Sequence, residues 1–173
     1  NDFDDSNWRS AHLVESPKGR LAAQRNPNLR TMEELKPISI TKVDGKYILD
    51  MGQNMVGWLS VRLRGKKDQP VVMRFAETLK EDGSLYMANL RGAKVTNIYT
   101  PAEDGMFSWC PTFTYQGFRY AEISGIDYMP EIEDFVVKVN YDKMETIGSF
   151  ESSDETINSI YKNAYWGIRG NYR

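Results

Sequence analysis

The sequence is short of the residues that most metal and nucleophile sites need. Its 173 residues include one cysteine, Cys110, and one histidine, His12. A single cysteine cannot form an intrachain disulfide, and neither residue has the partners that a cysteine- or histidine-based metal site requires. No glycine-rich phosphate loop and no Ser-His-Asp pattern is visible. We therefore predict no metal site and no cofactor, and we interpret His12 as a surface residue.

An excess of charge and a long apolar run are also missing. The chain has 22 basic and 24 acidic residues, which are interspersed and give a net charge of −2. A basic stripe that would bind phosphates is absent, so we expect no nucleic-acid partner. The apolar runs are far shorter than the roughly 20 residues of a membrane span, so we expect no membrane partner. With 40% hydrophobic and 27% charged residues, the composition is that of a globular domain.

Residues 1–35 are polar and rich in turn-forming residues, which predicts a connector. A short strand near 11–14 could be the last strand of a preceding domain. The chain begins NDFDDSNW, without an initiator Met or the apolar stretch of a signal peptide. We therefore expect a segment of a longer protein.

Residues 36–147 have the pattern of short strands separated by turns. Asp44-Gly45 lies between two β-prone runs and is typical of a two-residue hairpin turn. Leu59, Val61 and Leu63 alternate with polar residues, which indicates a strand with one buried face. These features predict an all-β, antiparallel β-sandwich. The predicted strands are 38–43, 46–51, 58–65, 70–77, 94–100, 107–111, 118–124 and 134–142.

Residues 78–93 form a long loop with a turn at Asp82-Gly83. Loops of this length inside a compact domain are uncommon and are often functional or docked on another surface.

Residues 148–173 change to a helical period. Ser152 followed by Glu155 predicts a capping box, and Gly170 is placed to end the helix. An apolar stripe on this helix needs a partner, which is either the sheet or the remainder of a helical domain outside the chain. The stripe consists of Ile157, Ile160, Tyr161, Ala164 and Ile168.

Four segments of the chain, in the same order, resemble the bacterial α-L-rhamnosidase family. DMGQNMVGWLSVRLRG (50–65) is similar to a family stretch of the form Asp-x-Gly-Gln-Asn-x-x-Gly-Trp. Similarity continues through the long loop in RFAETLKEDGSLYMANLRGAKVTNIYT (74–100) and in FTYQGFRYAEISG (113–125). GSFESSDETINSIYKNAYWGIRGN (148–171) resembles the segment where the family's helical domain starts. The resemblance covers about residues 30–173.

The resemblance implies a concanavalin-like, jelly-roll type β-sandwich at 36–147, between an upstream β-domain and an (α/α)₆ barrel. Residues 1–35 would then be the connector and the tail of that upstream domain, and 148–173 would contain the barrel's first helix. The barrel holds the family's catalytic carboxylates, so none is expected within this chain. The implied chemistry is inverting hydrolysis of terminal α-L-rhamnosides without a cofactor. For the parent protein we favour a periplasmic or secreted location over a cytoplasmic one.

Four residues are the best candidates for contact with a carbohydrate. Gln53 and Asn54 could present amides to a sugar, although we favour a structural role in which they bond local backbone at a bulge. Trp58 and Trp109 could stack on a sugar ring, although core or interdomain packing is favoured for each.

The acidic residues lie mostly in polar, turn-like segments, and we interpret them as solvated surface. Glu77, at the end of an apolar strand, is expected to pair with Arg74 or Arg91 in a structural role. The other acidic residues considered are Asp4, Asp5, Glu33, Glu34, Glu131, Glu133 and Asp134.

These observations together predict a non-catalytic β-sandwich that supports a downstream barrel. Two alternatives stay open, a carbohydrate-binding module and a sandwich that binds another protein. Trp166 and Arg169 are expected to face the barrel. The predicted interdomain contacts are Ile157, Ile160, Tyr161, Trp166 and Arg169.

Overall fold

The computed structural model describes residues 3–171, which form one antiparallel sheet network of eight strands and a single α-helix at the carboxyl end. The all-β, antiparallel prediction with one terminal helix is therefore confirmed. No helix in this part of the chain is long and apolar enough to cross a membrane. The strands are β1 (Leu29–Leu35), β2 (Ser39–Val43), β3 (Lys46–Gly65), β4 (Val71–Ala76), β5 (Thr96–Tyr99), β6 (Gly105–Trp109), β7 (Gln116–Ser124) and β8 (Phe135–Asp142), and the helix is α1 (Glu155–Asn171).

Strand β3 organises the fold because it pairs with four other strands along its 20 residues. The order across the sheet is β1-β8-β3-β7-β4-β5, and β2 and β6 each pair with β3 outside this path. The first part of β3 lies between β2 and β7, residues 57–61 pair with β8, and residues 61–65 pair with β6. The sequence predicted two strands here, at 46–51 and 58–65, but a bulge joins them into one.

The main core lies between the strands that β3 connects. Leu59 and Leu63 are fully buried and Val61 is 2% exposed, which confirms the alternation seen in the sequence. The rings of Phe75 and Phe118 meet there with centroids 4.6 Å apart. Fully burying a large apolar side chain contributes about 1.5–3 kcal/mol, so these inward-facing residues account for much of the stability of the sheet.

The hairpin at Asp44-Gly45 forms as predicted. Asp44 has φ 47° and Gly45 has φ 77°, and β2 pairs with β3 directly on either side of them. Positive φ at both central residues matches the right-handed twist of the two strands, which is why Asp-Gly is favoured there.

The sheet begins earlier than the sequence predicted. Residues 29–35, assigned to the connector, form β1, which pairs with β8 along its length. No strand forms at 11–14, where side chains such as Leu13 are fully exposed. The polar, turn-rich composition of this region concealed a strand in which four of the seven residues are half-buried. The division into domains at 35 and 147 stays a prediction.

The long loop at 78–93 packs on the sheet. Leu79 and Leu85 form an isolated bridge, and Gly83, with φ 80°, turns the chain between them. Leu85 is only 4% exposed and packs in a small cluster with Ile48 and Ala76. A loop of this length was expected to be functional or to dock on another surface, and the structure shows it docked on the sheet.

Both helix ends differ from the prediction. Asp154 caps the helix, since its carboxylate accepts a hydrogen bond of 2.8 Å from the Thr156 backbone, and no reciprocal bond joins Ser152 and Glu155. Asn158 instead bonds both backbone groups of Ser152. Gly170 does not end the helix, which continues to Asn171. A glycine stands at 170 because the helix packs closely on β3 at this residue.

Candidate functional site

The Gly-Gln-Asn segment of β3 forms a bulge, as the structural interpretation predicted. The pairing with β7 loses register between Asp50 and Met55, and Gly52 adopts φ 72°, a conformation that suits glycine. The Gly52 backbone N–H donates to Asp50 Oδ1 at 2.7 Å, and Gln53 Nε2 donates to the Asn54 carbonyl at 2.8 Å. The bulge bends β3 and turns Gln53 and Asn54 out of the ladder.

An ion pair stabilises the base of the bulge. Arg119, on β7, donates from Nε and from Nη2 to the two oxygens of Asp50, both at 2.8 Å. These hydrogen bonds lower the pKa of the Asp50 carboxyl, with a further contribution from the Gly52 backbone, while partial burial acts in the opposite direction. The bidentate geometry makes this the strongest arrangement that an arginine and a carboxylate can form.

The lowered pKa of Asp50 predicts a pH dependence of stability. Because the pKa is lower in the folded than in the unfolded state, the contribution of the ion pair is fully present above about pH 4, the ordinary range of an unfolded aspartate, and is lost as the pH falls through the folded-state pKa. We expect Asp50→Asn to be less stable than the wild type at pH 7, with the difference shrinking in acid. Urea unfolding across a pH series measures this, with Glu103→Gln, an exposed position, as the control. A difference that stays constant with pH would contradict the assignment.

Helix α1 forms the wall opposite the bulge. Arg169 is 8% exposed and its guanidinium lies over the rings of Tyr141 and Trp166, at 4.1 and 4.2 Å from their centroids. Its Nη2 donates to Glu33 Oε1 on β1. Trp166 packs against the edge of the main core. Trp166 and Arg169 therefore attach the helix to the sandwich, and a contact of either residue with a downstream barrel stays a prediction.

Gly170 and Tyr115 complete this attachment. A Cβ at Gly170 would lie 3.0 Å from Cγ2 of Val56 on β3, so glycine allows the helix to approach the strand closely. The Tyr115 hydroxyl donates to the Gly170 carbonyl at 3.0 Å. The last turn of α1 is thus held by close packing of Gly170 on Val56, by the hydrogen bond from Tyr115, and by Arg169.

A cleft of about 490 Å³ lies between the bulge and α1. Gln53 and Asn54 line one side, together with Glu77, whose Oε1 accepts a hydrogen bond of 3.1 Å from Asn54 Nδ2. Trp166 and Asn163 line the side formed by the helix. The remaining lining residues are Met55, Val56, Tyr115, Gly117, Gly167, Gly170 and Asn171. The cleft therefore combines side-chain amides and one carboxylate with an indole ring.

Trp58 and Trp109 lie outside this cleft and on opposite faces of the sheet. Trp109 is paired with Val61, so it points to the core side, where its ring is 5.8 Å from that of Tyr99. Trp58 points the other way, and its Nε1 donates to the Thr114 carbonyl at 2.5 Å. The two rings cannot form one stacking platform. Their role in sugar binding stays a prediction, with no support from their placement.

Glu77 does not form either ion pair that the sequence suggested. Arg74 lies beside the buried carboxylate of Glu122, at 3.5 Å, and Lys46 lies on the same carboxylate at 3.2 Å. Glu77 is exposed and bonds Asn54 instead. Strand pairing explains why Arg74 does not contact Glu77, because Arg74 and Glu122 are direct cross-strand partners on β4 and β7.

The apolar stripe of α1 is exposed. Ile157, Ile160 and Ile168 are 44%, 63% and 58% exposed, and Tyr161 is 40% exposed. The sequence left open whether the stripe packs on the sheet or on a further domain. In the structure the helix packs on the sandwich with a different face, and the stripe stays uncovered. A contact between this stripe and a further domain stays a prediction.

Two residues of the cleft, Tyr115 and Asn163, were not identified as site residues from the sequence, and Trp166 was predicted only as an interdomain contact. Tyr115 lies in one of the four motifs and Asn163 and Trp166 lie in another, which was the available signal. Their convergence depends on how α1 sits against β3 and β8. No group of three or more His, Cys, Asp and Glu that could hold a metal occurs among residues 3–171.

The fold and the attached helix define an antiparallel β-sandwich domain, and comparison with known proteins places it in a family. The family model described as "Bacterial alpha-L-rhamnosidase concanavalin-like domain" matches residues 40–140. The chain belongs to this family. Its sandwich is therefore of the concanavalin-like type, as the motifs implied.

Whole-chain similarity extends beyond the matched domain. An alpha-L-rhamnosidase from Alteromonas sp. (strain LOR) is 37% identical over 99% of the chain. Solved alpha-L-rhamnosidases from Dictyoglumus thermophilum and Aspergillus terreus superpose with TM-scores of 0.90 and 0.87, at 38% and 34% identity, over 98% and 99% of the chain. The chain spans about a fifth of the length of these relatives, 19% of the first and 20% of the two solved chains.

Proposed function

We propose that this chain is a non-catalytic, supporting domain of an enzyme that hydrolyses terminal α-L-rhamnosides, and that the catalytic carboxylates lie in a helical domain outside the chain. The relatives are alpha-L-rhamnosidases of about five times the length of this chain, which supports a role as one domain of several.

The carboxylates of the sandwich do not suit glycoside hydrolysis. The acid/base mechanism uses two carboxyl groups about 6.5–9.5 Å apart in inverting enzymes, one of them with a raised pKa. The cleft has one carboxylate, Glu77, among its lining residues. The carboxyl groups of Asp50, Asp82 and Asp127 have lowered pKa values, because hydrogen bonds from Arg119, Ser84 and Lys66 favour their charged forms. The single carboxylate of the cleft is the observation that carries this part of the proposal.

The attachment of α1 supports the structural role. One face of the helix is anchored to β1, β3 and β8 through Arg169, Gly170 and Trp166, while the opposite face presents Ile157, Ile160 and Ile168 to the outside. A helix that is anchored on one face and exposes apolar side chains on the other can pack between two domains. We propose that the exposed face packs against the rest of the helical barrel, so that the sandwich determines where the barrel begins.

Hydrolysis of a chromogenic α-L-rhamnoside tests this proposal. We expect no activity above background from the 173-residue chain and clear activity from the same gene product extended past Arg173. The rate difference should be very large, since acid/base catalysis alone contributes about 10²–10⁴-fold. Hydrolysis by the chain alone would show that catalytic groups lie within it, and an inactive extended protein would reject the rhamnosidase assignment.

A further inference from the structure

We infer that the cleft between the β3 bulge and α1 is a binding site for a neutral monosaccharide unit, with L-rhamnose as the sugar that the proposed function names. The cleft offers one wall of hydrogen-bonding side chains, Gln53, Asn54 and Glu77, and an opposite wall that includes the indole of Trp166. Sugars combine hydroxyl groups on their edges with apolar C–H faces, and a cleft with these two kinds of wall matches both.

The polar wall is preformed. Asn54 Nδ2 donates to Glu77 Oε1, which orients the amide and the carboxylate relative to each other across 23 residues of sequence. A carboxylate has about four acceptor positions, so this bond leaves others for sugar hydroxyls. Sugar hydroxyl groups both donate and accept hydrogen bonds. An amide beside a carboxylate offers an N–H donor and carboxylate oxygen acceptors to them. The bulge that presents these side chains is itself held by the Asp50–Arg119 ion pair.

The apolar wall and the volume fit a single sugar ring. Small-molecule sites in proteins usually have volumes of about 300–1,000 Å³, and this cleft of about 490 Å³ lies within that range. Val56 and Trp166 both line the cleft, and Gly167 leaves open space, since no atom lies within 4 Å of the position of an added Cβ. A methyl group on the sugar ring, as a 6-deoxyhexose carries, would find apolar contacts on this side.

The charge of the lining selects a neutral ligand. Glu77 is the one acidic residue among the lining residues, and they include no lysine or arginine. A carboxylated or sulfated sugar would meet the negative charge of Glu77 without a compensating cation, which disfavours it. A neutral sugar can use the same carboxylate as a hydrogen-bond acceptor.

Titration of the ¹⁵N-labelled 173-residue chain with methyl α-L-rhamnopyranoside, followed by NMR, tests the inference. We expect saturable shifts of the side-chain amide signals of Gln53, Asn54 and Asn163, with a dissociation constant on the order of millimolar, as for a small ligand with few contacts. Glu77→Gln and Asn54→Ala should each weaken binding about 10-fold. The control Glu103→Gln removes the same charge at an exposed position outside the cleft and should leave binding unchanged.

The inference is overturned by an absence of saturable shifts up to about 100 mM sugar, which corresponds to negligible affinity. Equal affinity in the wild type and both cleft variants would overturn it as well, because the sugar would then bind elsewhere. If a variant at position 54 or 77 loses its folded spectrum, Asn163→Ala on the helix side replaces it. The titration does not depend on hydrolysis, so its outcome is independent of whether the extended protein proves to be a rhamnosidase.

Discussion

Replacing Gly57 by alanine should lower the melting temperature of the chain by about 6–12 °C, which corresponds to a loss of about 3 kcal/mol in a domain of this size. Gly57 follows the bulge, at the point where β3 leaves β7 and pairs with β8 opposite Val139. A Cβ there would lie 2.2 Å from the carbonyl oxygen of Lys138 and 3.0 Å from its carbonyl carbon. Overpacking usually costs about 1–3 kcal/mol, and the upper end applies here because the obstacle is backbone, which has no alternative rotamer.

Gly92→Ala provides the matched control for this substitution. Nothing lies within 4 Å of the position of a Cβ at Gly92, so the same chemical change should alter stability by no more than about 0.5 kcal/mol. Thermal unfolding followed by circular dichroism measures both variants. If the Gly57→Ala chain has the same melting temperature as the wild type, β3 and β8 do not approach as closely as the pairing requires.

Replacing Arg169 by alanine should release α1 from the sandwich while leaving the sheet folded. The substitution removes the hydrogen bond to Glu33 and the contacts with the rings of Tyr141 and Trp166. Breaking a fully buried ion pair costs about 3–5 kcal/mol, but the Glu33 side chain is 39% exposed and can be hydrated again. We therefore expect a loss of about 2–3 kcal/mol in the docking of α1.

Amide hydrogen exchange separates this local effect from global unfolding. A docking loss of that size should speed exchange in α1 by about 30- to 150-fold, while amides of β7 keep their protection. Arg169→Lys should give an intermediate result, because lysine keeps the charge but lacks the planar group that stacks between the rings. Arg62→Ala, at an exposed position on β3, removes an arginine without these contacts and should not change exchange in α1. Unchanged exchange in α1 of Arg169→Ala would contradict the anchoring role.

Much of the sheet could be predicted because its signals are local. The Asp44-Gly45 turn, the alternation at Leu59, Val61 and Leu63, and the bulge at Gly52 each depend on a few consecutive residues. Such patterns reflect backbone conformation and one buried face, and neither requires knowledge of distant segments. The family resemblance, which the family model confirms, rests on motifs of the same local kind.

The errors fall where a distant segment decides the outcome. Strand β1 was assigned to a connector because its polar residues show no clear alternation, and it becomes a strand through pairing with β8, more than 100 residues away in sequence. The partner of Glu77 was sought among nearby arginines, but β4 and β7 place Arg74 opposite Glu122. The helical stripe could not show how α1 meets the sandwich, because a hydrophobic periodicity does not reveal that a buried arginine anchors the other side.

The sequence by itself determined an all-β, antiparallel domain with a terminal helix, the turn and bulge positions, and the family, because these depend on local backbone preferences and on motifs. Only the tertiary structure decided which face of α1 meets the sandwich and that Gln53, Asn54, Glu77 and Trp166 line one cleft. These relations arise from the close approach of Gly170 to Val56 and from the ion pair of Arg169 with Glu33. Residues 33 and 169 come together only because β1, β8 and α1 are brought side by side, and no local pattern encodes that proximity.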